Sequence, residues 1–347
     1  MKVVINGRFL TQNLTGVQRF AFEISKRLSK INGEIILLTP SCKIRKEYAN
    51  SLKIYKVGYM SGHLWEQIEL PLWLRKNENP ILLNLCNTGP IMYKNKIVTI
   101  HDLAFIVNPI WFKKKFVLWY KFLIPKLLKS SFLILTVSKT IKNQIVDFYN
   151  LNSKYIEVIY NASSFTPIAY ILEEYNVKEN IVLAVSSHNP RKNLKTLVAA
   201  FIKSKIDYHL IIVGGKGNAF AETDLEQNKN ITFLSSISDK ELINLYKLSK
   251  IFVYPSFYEG FGIPPLEAQG FGCTILVSDI PIFKEVYSDS VLYFNPYSEN
   301  DLKEKLIYAT NLSFQNEYTL KSKINFVKYN WDKSATKLIS LIHEHAS

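Results

Sequence analysis

The sequence predicts an α/β chain of two domains, and three observations carry that expectation. Short apolar runs at residues 3–5, 35–38, 81–85, 97–100, 132–137 and 156–159 read as buried strands, with helical patterns among the stretches between them. The same style of segment restarts at 181–185 and continues at 210–213, 231–234, 251–254, 274–278 and 291–294. A length of 347 residues gives two domains of ordinary size, each able to bury a core.

Composition narrows the class. A hydrophobic content of 48% with 13% aromatic residues describes a globular chain, not a disordered one. Cys42, Cys86 and Cys273 are far apart and match no metal or redox spacing, which suits a reducing compartment. The opening MKVVINGRFL reads as neither a signal peptide nor a membrane span, and no uncharged apolar run reaches about 18 residues. The expected location is therefore cytoplasmic. The net charge of +14 admits nucleic acid, an anionic membrane or a diphosphate as partner. No zinc finger, RRM signature or basic low-complexity tail is present, so nucleic acid is not expected. Part of the charge simply follows from a Lys/Asn/Ile-rich composition.

In the first half, the strand at 3–5 ends in Asn6-Gly7. A polar loop at 11–16 then leads to a helix at 17–29 with Phe20, Phe22, Ile24 and Leu28 as its apolar positions. Strand, glycine-bearing loop and helix open a nucleotide-type α/β unit, though Gly16 also fits a plain turn. Residues 63–71 predict a helix packed by Leu64, Trp65, Ile68 and Leu72. His101-Asp102 ends the strand at 97–100, where ligands bind in open parallel sheets. Residues 111–129, WFKKKFVLWYKFLIPKLLK, interleave lysines with large apolar side chains, and Pro125 is expected to break or kink the helix. The stretch is either a partly buried helix pair or a membrane-surface face in which Lys113, Lys114, Lys115 and Trp119 meet lipid. Ser138 is the expected N-cap of a helix at 139–148. A linker is expected at 161–175.

The second half carries the stretch around which the rest is organised: FYEGFGIPPLEAQG at 257–270. Gly260, Gly262, Pro264 and Pro265 forbid a helix through its first part, and a helix can begin at Pro264 or Pro265. Glu259 then lies on the loop and Glu267 in the first turn, with exposed N–H groups between them at the positive end of a helix. Carboxylates flanking an anion site suit a diphosphate flanked by polyols, that is, a nucleotide sugar. Upstream, 186–194 bring Arg191 and Lys192 after a strand; His188 lies nearby without an assigned role. Gly214-Gly215-Lys216-Gly217 lacks P-loop spacing and reads as a glycine turn. Asp239 is expected to cap a helix bearing Leu242, Leu245 and Leu248. The tail at 314–346 reads as helical.

These residues resemble one family. EGFG-x-P-x-x-E with Glu259 and Glu267 in E-x7-E, preceded in order by Gly16, His101-Asp102 and Arg191-Lys192-Asn193, is similar to the signature of the retaining GT-B glycosyltransferases of family GT4. Size and segment style most resemble the bacterial mannosyltransferases that build O-antigen. The resemblance implies two Rossmann-like domains facing across a cleft: 1–163 binding acceptor, 164–325 binding donor, and a helix at 326–347 returning to the first domain. It implies Glu259 on donor-sugar hydroxyls and Glu267 on the ribose. Gly260, Phe261, Gly262 and Ile263 would form the loop whose amides lie near sugar and phosphates. Gly16 would admit the phosphates, and His101 would hydrogen-bond the donor sugar, with Asp102 and Asn161 behind them.

Lys192 matches the family lysine. Ser186 stands where the family arginine would be, so Arg191 is the candidate replacement. The donor is then a nucleotide-diphosphate sugar, GDP-mannose by subfamily, and the acceptor a glycan or polyprenyl-diphosphate-linked glycan at the cytoplasmic face of the inner membrane. No Asp-x-Asp is present, and the family needs neither metal nor cofactor: lysine and helix-end amides serve the leaving diphosphate. A GT-B phosphorylase would be much longer. A nucleotide-sugar epimerase shares fold and size and would isomerise its ligand instead of transferring a sugar. A non-catalytic nucleotide-sugar or nucleic-acid binding module would not need Glu259, Glu267, Lys192 and His101 intact.

Overall fold

The computed structural model describes residues 2–31, 35–45, 52–165, 178–187, 189–214, 228–235 and 237–346. His188, most of the expected linker and Gly215-Lys216-Gly217 lie outside the described residues. The chain divides into two units, Met1–Asn161 with Asn330–Ser347, and Ala162–Tyr329.

Unit 1 is built on seven parallel strands: β1 (Val3–Asn6), β2 (Ile36–Thr39), β3 (Ile54–Lys56), β4 (Ile81–Asn84), β5 (Lys96–Ile100), β6 (Leu133–Thr136) and β7 (Ile156–Val158). Their order is β3-β2-β1-β4-β5-β6-β7. Strands β1, β4, β5 and β6 are buried along their whole length, as expected of a parallel sheet covered on both faces. Helix α1 (Gly16–Ile31) buries Phe20, Ile24 and Leu28, while Phe22 is only half-buried. The last helix of the chain, Trp331–Ala346, belongs to this unit. Its Trp331 meets Phe20 ring to edge, Asp332 pairs with Arg27 at 2.7 Å, and Ser334 and Lys337 donate to the carbonyls of Tyr160 and Val158.

Several expectations change here. Helix α2 runs from 62 to 76 and contains a π turn at Trp65–Glu69. The extra residue of a π turn shifts the inward face, so Trp65, Leu70 and Leu74 are buried. Leu64, Ile68 and Leu72, expected to pack, are exposed instead. Helix α3 (Lys114–Ser130) continues through Pro125. The lost bond and ring clash cost about 3 kcal/mol, and burial of Leu123, Ile124, Leu127 and Leu128 around the proline offsets that. Lys113, Lys114 and Lys115 are exposed. Trp119 is not: it is half-buried, its ring edge-on to His63 at 5.2 Å, so the exposed apolar side chains of this stretch are Phe116, Leu118 and Phe122. Ser138 caps α4 (Lys139–Tyr149) by accepting from the Ile141 amide, as expected.

Unit 2 repeats the plan with β8 (Glu179–Val185), β9 (His209–Val213), β10 (Ile231–Leu234), β11 (Ser249–Tyr254), β12 (Thr274–Ser278) and β13 (Leu292–Phe294), all parallel, in the order β10-β9-β8-β11-β12-β13. Helices α5 (Leu194–Ser204), α6 (Asp239–Leu248), α7 (Ile263–Gly270), α8 (Pro281–Tyr287), α9 (Glu299–Ala309) and α10 (Leu312–Phe326) lie between and after these strands. The N-cap of α6 is Ser238, not Asp239: Ser238 and Glu241 form a reciprocal capping box. The expected continuous tail helix is two helices, because 327–330 breaks it before Trp331.

Each sheet reverses its strand order beside its first strand, between β1 and β4 and between β8 and β11. The crevice outside the carboxyl ends of such a pair is where open α/β sheets bind ligands.

Candidate functional site

The switch point of unit 2 is occupied by charge. After β8 the chain makes a 3-10 turn at Pro190–Lys192, held by Asn189 accepting from the Arg191 amide and closed by Asn193 in the left-handed region at φ 54°. The Asn193 carboxamide donates to the Pro296 carbonyl at 2.8 Å, which fixes the turn to the far side of the sheet. From this turn Lys192 Nζ reaches Glu259 Oε1 at 2.6 Å and the Tyr254 hydroxyl at 2.7 Å. Arg191 Nη1 stands 4.0 Å from Glu259 Oε2, and the Phe257 amide donates to the Arg191 carbonyl at 2.8 Å. Lys192 and Glu259 are 8% and 7% exposed, so both charges are largely out of water. Burial pushes the Glu259 carboxyl upward, but the charges of Lys192 and Arg191 and the Lys192 hydrogen bond outweigh it and hold the group below its ordinary value. Burial and the Glu259 charge push the Tyr254 phenol well up, so it stays protonated. Two cations thus flank the Glu259 carboxylate at the strand ends.

The loop that follows is tighter than expected. Gly260, Phe261 and Gly262 are buried, so their amides are not openly exposed as the sequence suggested. Helix α7 begins at Ile263, ahead of both prolines, with Gly262 as cap at φ 94°. A Cβ at Gly262 would meet Phe283 at 2.8 Å, and the Gly262 carbonyl accepts from the Tyr287 hydroxyl. Glu267 is the fifth residue of α7, just past the first turn where it was expected, and is buried with Oε2 accepting from the Tyr246 hydroxyl at 3.0 Å. Ser186, in the place of the family arginine, is buried at the end of β8 beside Gly214, whose φ is 103° and whose Cβ would stand 2.2 Å from the Ser186 carbonyl oxygen. Tyr254 and Tyr246 were not anticipated; the signal available was a tyrosine at the end of the strand leading into the loop.

In unit 1, His101 follows β5 and is buried. Its Nε2 donates to the Leu85 carbonyl at 2.8 Å and its ring meets Phe20 edge-on at 4.9 Å. Burial lowers its pKa against the smaller opposing effects of the Leu85 bond and Asp102, so the ring is neutral with Nδ1 as its acceptor. Asp102 accepts from the Ala104 amide at 3.1 Å. Gly16 is the exposed first residue of α1, without a left-handed φ. Asn161 is buried at the boundary of the unit. Among the described residues no group of three His, Cys, Asp or Glu side chains could hold a metal ion.

Two nucleotide-type parallel sheets, one with a paired lysine and glutamate at its switch point, define a protein of the GT-B class. The "Glycosyltransferase Family 4" pattern matches residues 14–163 and the "Glycosyl transferases group 1" pattern residues 173–324, one on each unit. Each unit thus matches one glycosyltransferase pattern. It is 37% identical to O-antigen chain mannosyltransferase RfbU of Salmonella typhimurium over 61% of this chain and 60% of that protein. It is 26% identical to O-antigen chain mannosyltransferase B of Escherichia coli over 98% of this chain and 99% of that protein. Its fold is that of the sucrose-phosphate synthase of Thermosynechococcus elongatus, with a TM-score of 0.75 over 99% of both chains at 15% identity.

Proposed function

We propose that the chain transfers a sugar, with retention of anomeric configuration, from a nucleotide-diphosphate sugar to a hydroxyl of a glycan or lipid-linked acceptor in surface polysaccharide assembly. GDP-mannose is the proposed donor, since the relatives above are named as O-antigen mannosyltransferases. The observation that carries the reading is the buried Lys192–Glu259 pair with Arg191 at the β8/β11 switch point. In the reaction the bond from the anomeric carbon to the diphosphate breaks, the acceptor oxygen bonds to that carbon, and its proton passes to the leaving diphosphate. Negative charge grows on the diphosphate as the bond breaks. The side-chain charges of Arg191 and Lys192 stabilise it, with Arg191 taking the part of the arginine replaced by Ser186. Glu259 accepts hydrogen bonds from the donor sugar and Glu267 from the ribose, and neither role needs a resident metal or cofactor.

The acceptor's lipid would bring the protein to the cytoplasmic face of the membrane. Among the described residues no helix is long and apolar enough to cross a membrane. Lys113, Lys114, Lys115 and the exposed Phe116, Leu118 and Phe122 of α3 suit reversible docking on anionic lipid, at about 1 kcal/mol per lysine. The test of the function is incubation with GDP-mannose and a glycoside acceptor. A glycoside with the anomeric configuration of the donor is the expected product by NMR. An isomerised nucleotide sugar without transfer would replace this reading with the epimerase.

A further inference from the structure

Unit 1 holds a second buried polar constellation, at the carboxyl ends of β1 and β4. Glu66, fully buried on α2, accepts at Oε1 from the Asn6 carboxamide at 2.8 Å, Arg8 Nε at 3.2 Å and the Thr88 hydroxyl at 2.9 Å. Arg8 also donates through Nη2 to Thr88 at 2.9 Å, and Asn6 to Asn84 at 2.9 Å. The other oxygen, Glu66 Oε2, faces His63 Nδ1 at 3.2 Å. His63 differs from its partners in being 39% exposed.

Three separate segments thus spend charged and polar side chains where an apolar pair would serve the fold as well. They do so where β1 and β4 adjoin and the strand order reverses. The π turn at Trp65–Glu69 adds a separate indication, since such turns recur at functional sites. Glu66 within this turn is buried while His63, three residues earlier, stays partly exposed. Trp119 lies edge-on to His63, and Tyr120 lies close enough to Arg8, Glu66 and Asp102 to feel their charges. The constellation therefore has an aromatic wall and extends towards the His101-Asp102 strand end.

Its chemistry is that of a hydroxyl-binding site. Arg8 is paired with the buried Glu66, so what the constellation offers a ligand is amide, hydroxyl and imidazole groups. An ionised Glu66 can only accept, so Nδ1 of His63 donates to it, and Nε2 is the acceptor of the ring in its neutral form. We propose that His63, oriented by Glu66, accepts a hydrogen bond from a hydroxyl of the acceptor sugar, with Trp119 as the apolar wall of that subsite. Glu66 and Arg8 are positioning residues. The proposal rests on the glycosyltransferase reading above.

The test uses the full chain and a panel of p-nitrophenyl glycosides of mannose, glucose, galactose, N-acetylglucosamine and rhamnose. Glycoside binding is followed by saturation-transfer NMR, transfer from GDP-mannose by product formation, donor affinity by titration and fold by Tm. His63→Ala should weaken glycoside binding and raise the acceptor KM about tenfold or more, with donor affinity and Tm unchanged. His63→Gln, whose amide oxygen accepts as Nε2 does, should recover part of the loss. Glu66→Gln should raise the acceptor KM by a smaller factor. Unchanged glycoside binding and acceptor KM in His63→Ala would overturn the proposal, as would failure of the wild type to bind any glycoside. Wild type that binds donor and glycosides without joining them would defeat the transfer reading, while His63 is still judged by glycoside binding.

Discussion

At the scale of the residue, the account turns on buried charges that are stable only as groups. Lys192→Ala removes one of the two cations at the β8/β11 switch point and should weaken donor diphosphate binding by about 1.5–3 kcal/mol, roughly ten- to a hundredfold. It should also lower stability, because Glu259 is left buried with its 2.6 Å partner gone and Arg191 4.0 Å away. Titration with GDP-mannose beside a thermal melt separates the two effects; unchanged affinity with a lowered Tm would make Lys192 purely structural. Glu66 gives a test by pH. Its burial alone would raise the carboxyl pKa, but Arg8, His63 and Asn6 hold it below the ordinary value. A carboxyl depressed in the folded state contributes stability that is full above its unfolded pKa and lost as pH falls through the folded one. The stability difference between wild type and Glu66→Gln should therefore be large near neutral pH and shrink below about pH 4, as read from urea unfolding. A difference independent of pH would mean that Glu66 is not ionised in the folded protein.

At the scale of the element, backbone geometry decides which residues meet. Gly262 sits at φ 94° with no room for a Cβ beside Phe283. Gly262→Ala should cost about 1–2 kcal/mol of stability from the left-handed torsion alone. It should also shift the 257–263 loop enough to weaken donor binding, and wild-type melting with wild-type donor affinity would contradict this. Much of this level was legible in advance. The buried strands announced themselves as apolar runs, and glycine and proline marked the loop before α7. Helix α2 was misread because heptad-like spacing assumes 3.6 residues per turn, and a π turn is invisible to that pattern. The Arg8–Glu66 pair was missed because its members are 58 residues apart and nothing local in either segment points to the other. The capping serine of α6 was displaced by one position because Ser238 and Asp239 are both good caps, and only the reciprocal Glu241 bond decides between them. For α3, replacing Lys113, Lys114 and Lys115 by Glu should abolish sedimentation with anionic vesicles at low salt while leaving donor binding intact. Equal binding to neutral and anionic vesicles would leave the helix as part of the core of unit 1 alone.

At the scale of the whole molecule, two units that share the strand order around their switch points carry different side chains at equivalent places. Unit 2 ends its central strands in a cluster where Lys192 and Arg191 flank Glu259, unit 1 in one where Arg8 and His63 flank Glu66. That division suits a donor carrying a diphosphate and an acceptor whose reacting end carries hydroxyls. The expectation of no resident metal makes a plain test: transfer should persist in excess EDTA, and activity restored only by added Mg or Mn would show that the diphosphate is held by a cation other than Lys192 and Arg191. The central claim, that the β8/β11 switch point holds a nucleotide-diphosphate sugar, is tested most directly by thermal shift against a panel of nucleotide sugars, in wild type and in Lys192→Ala. A ligand at 100 times its Kd adds about 2.7 kcal/mol to stability, enough to read in a melt. The account predicts that GDP-mannose raises the Tm of the wild type, more than its mannose-free nucleotide does, and that Lys192→Ala loses most of the shift. No shift with any nucleotide sugar, or a shift of equal size in Lys192→Ala, would contradict it.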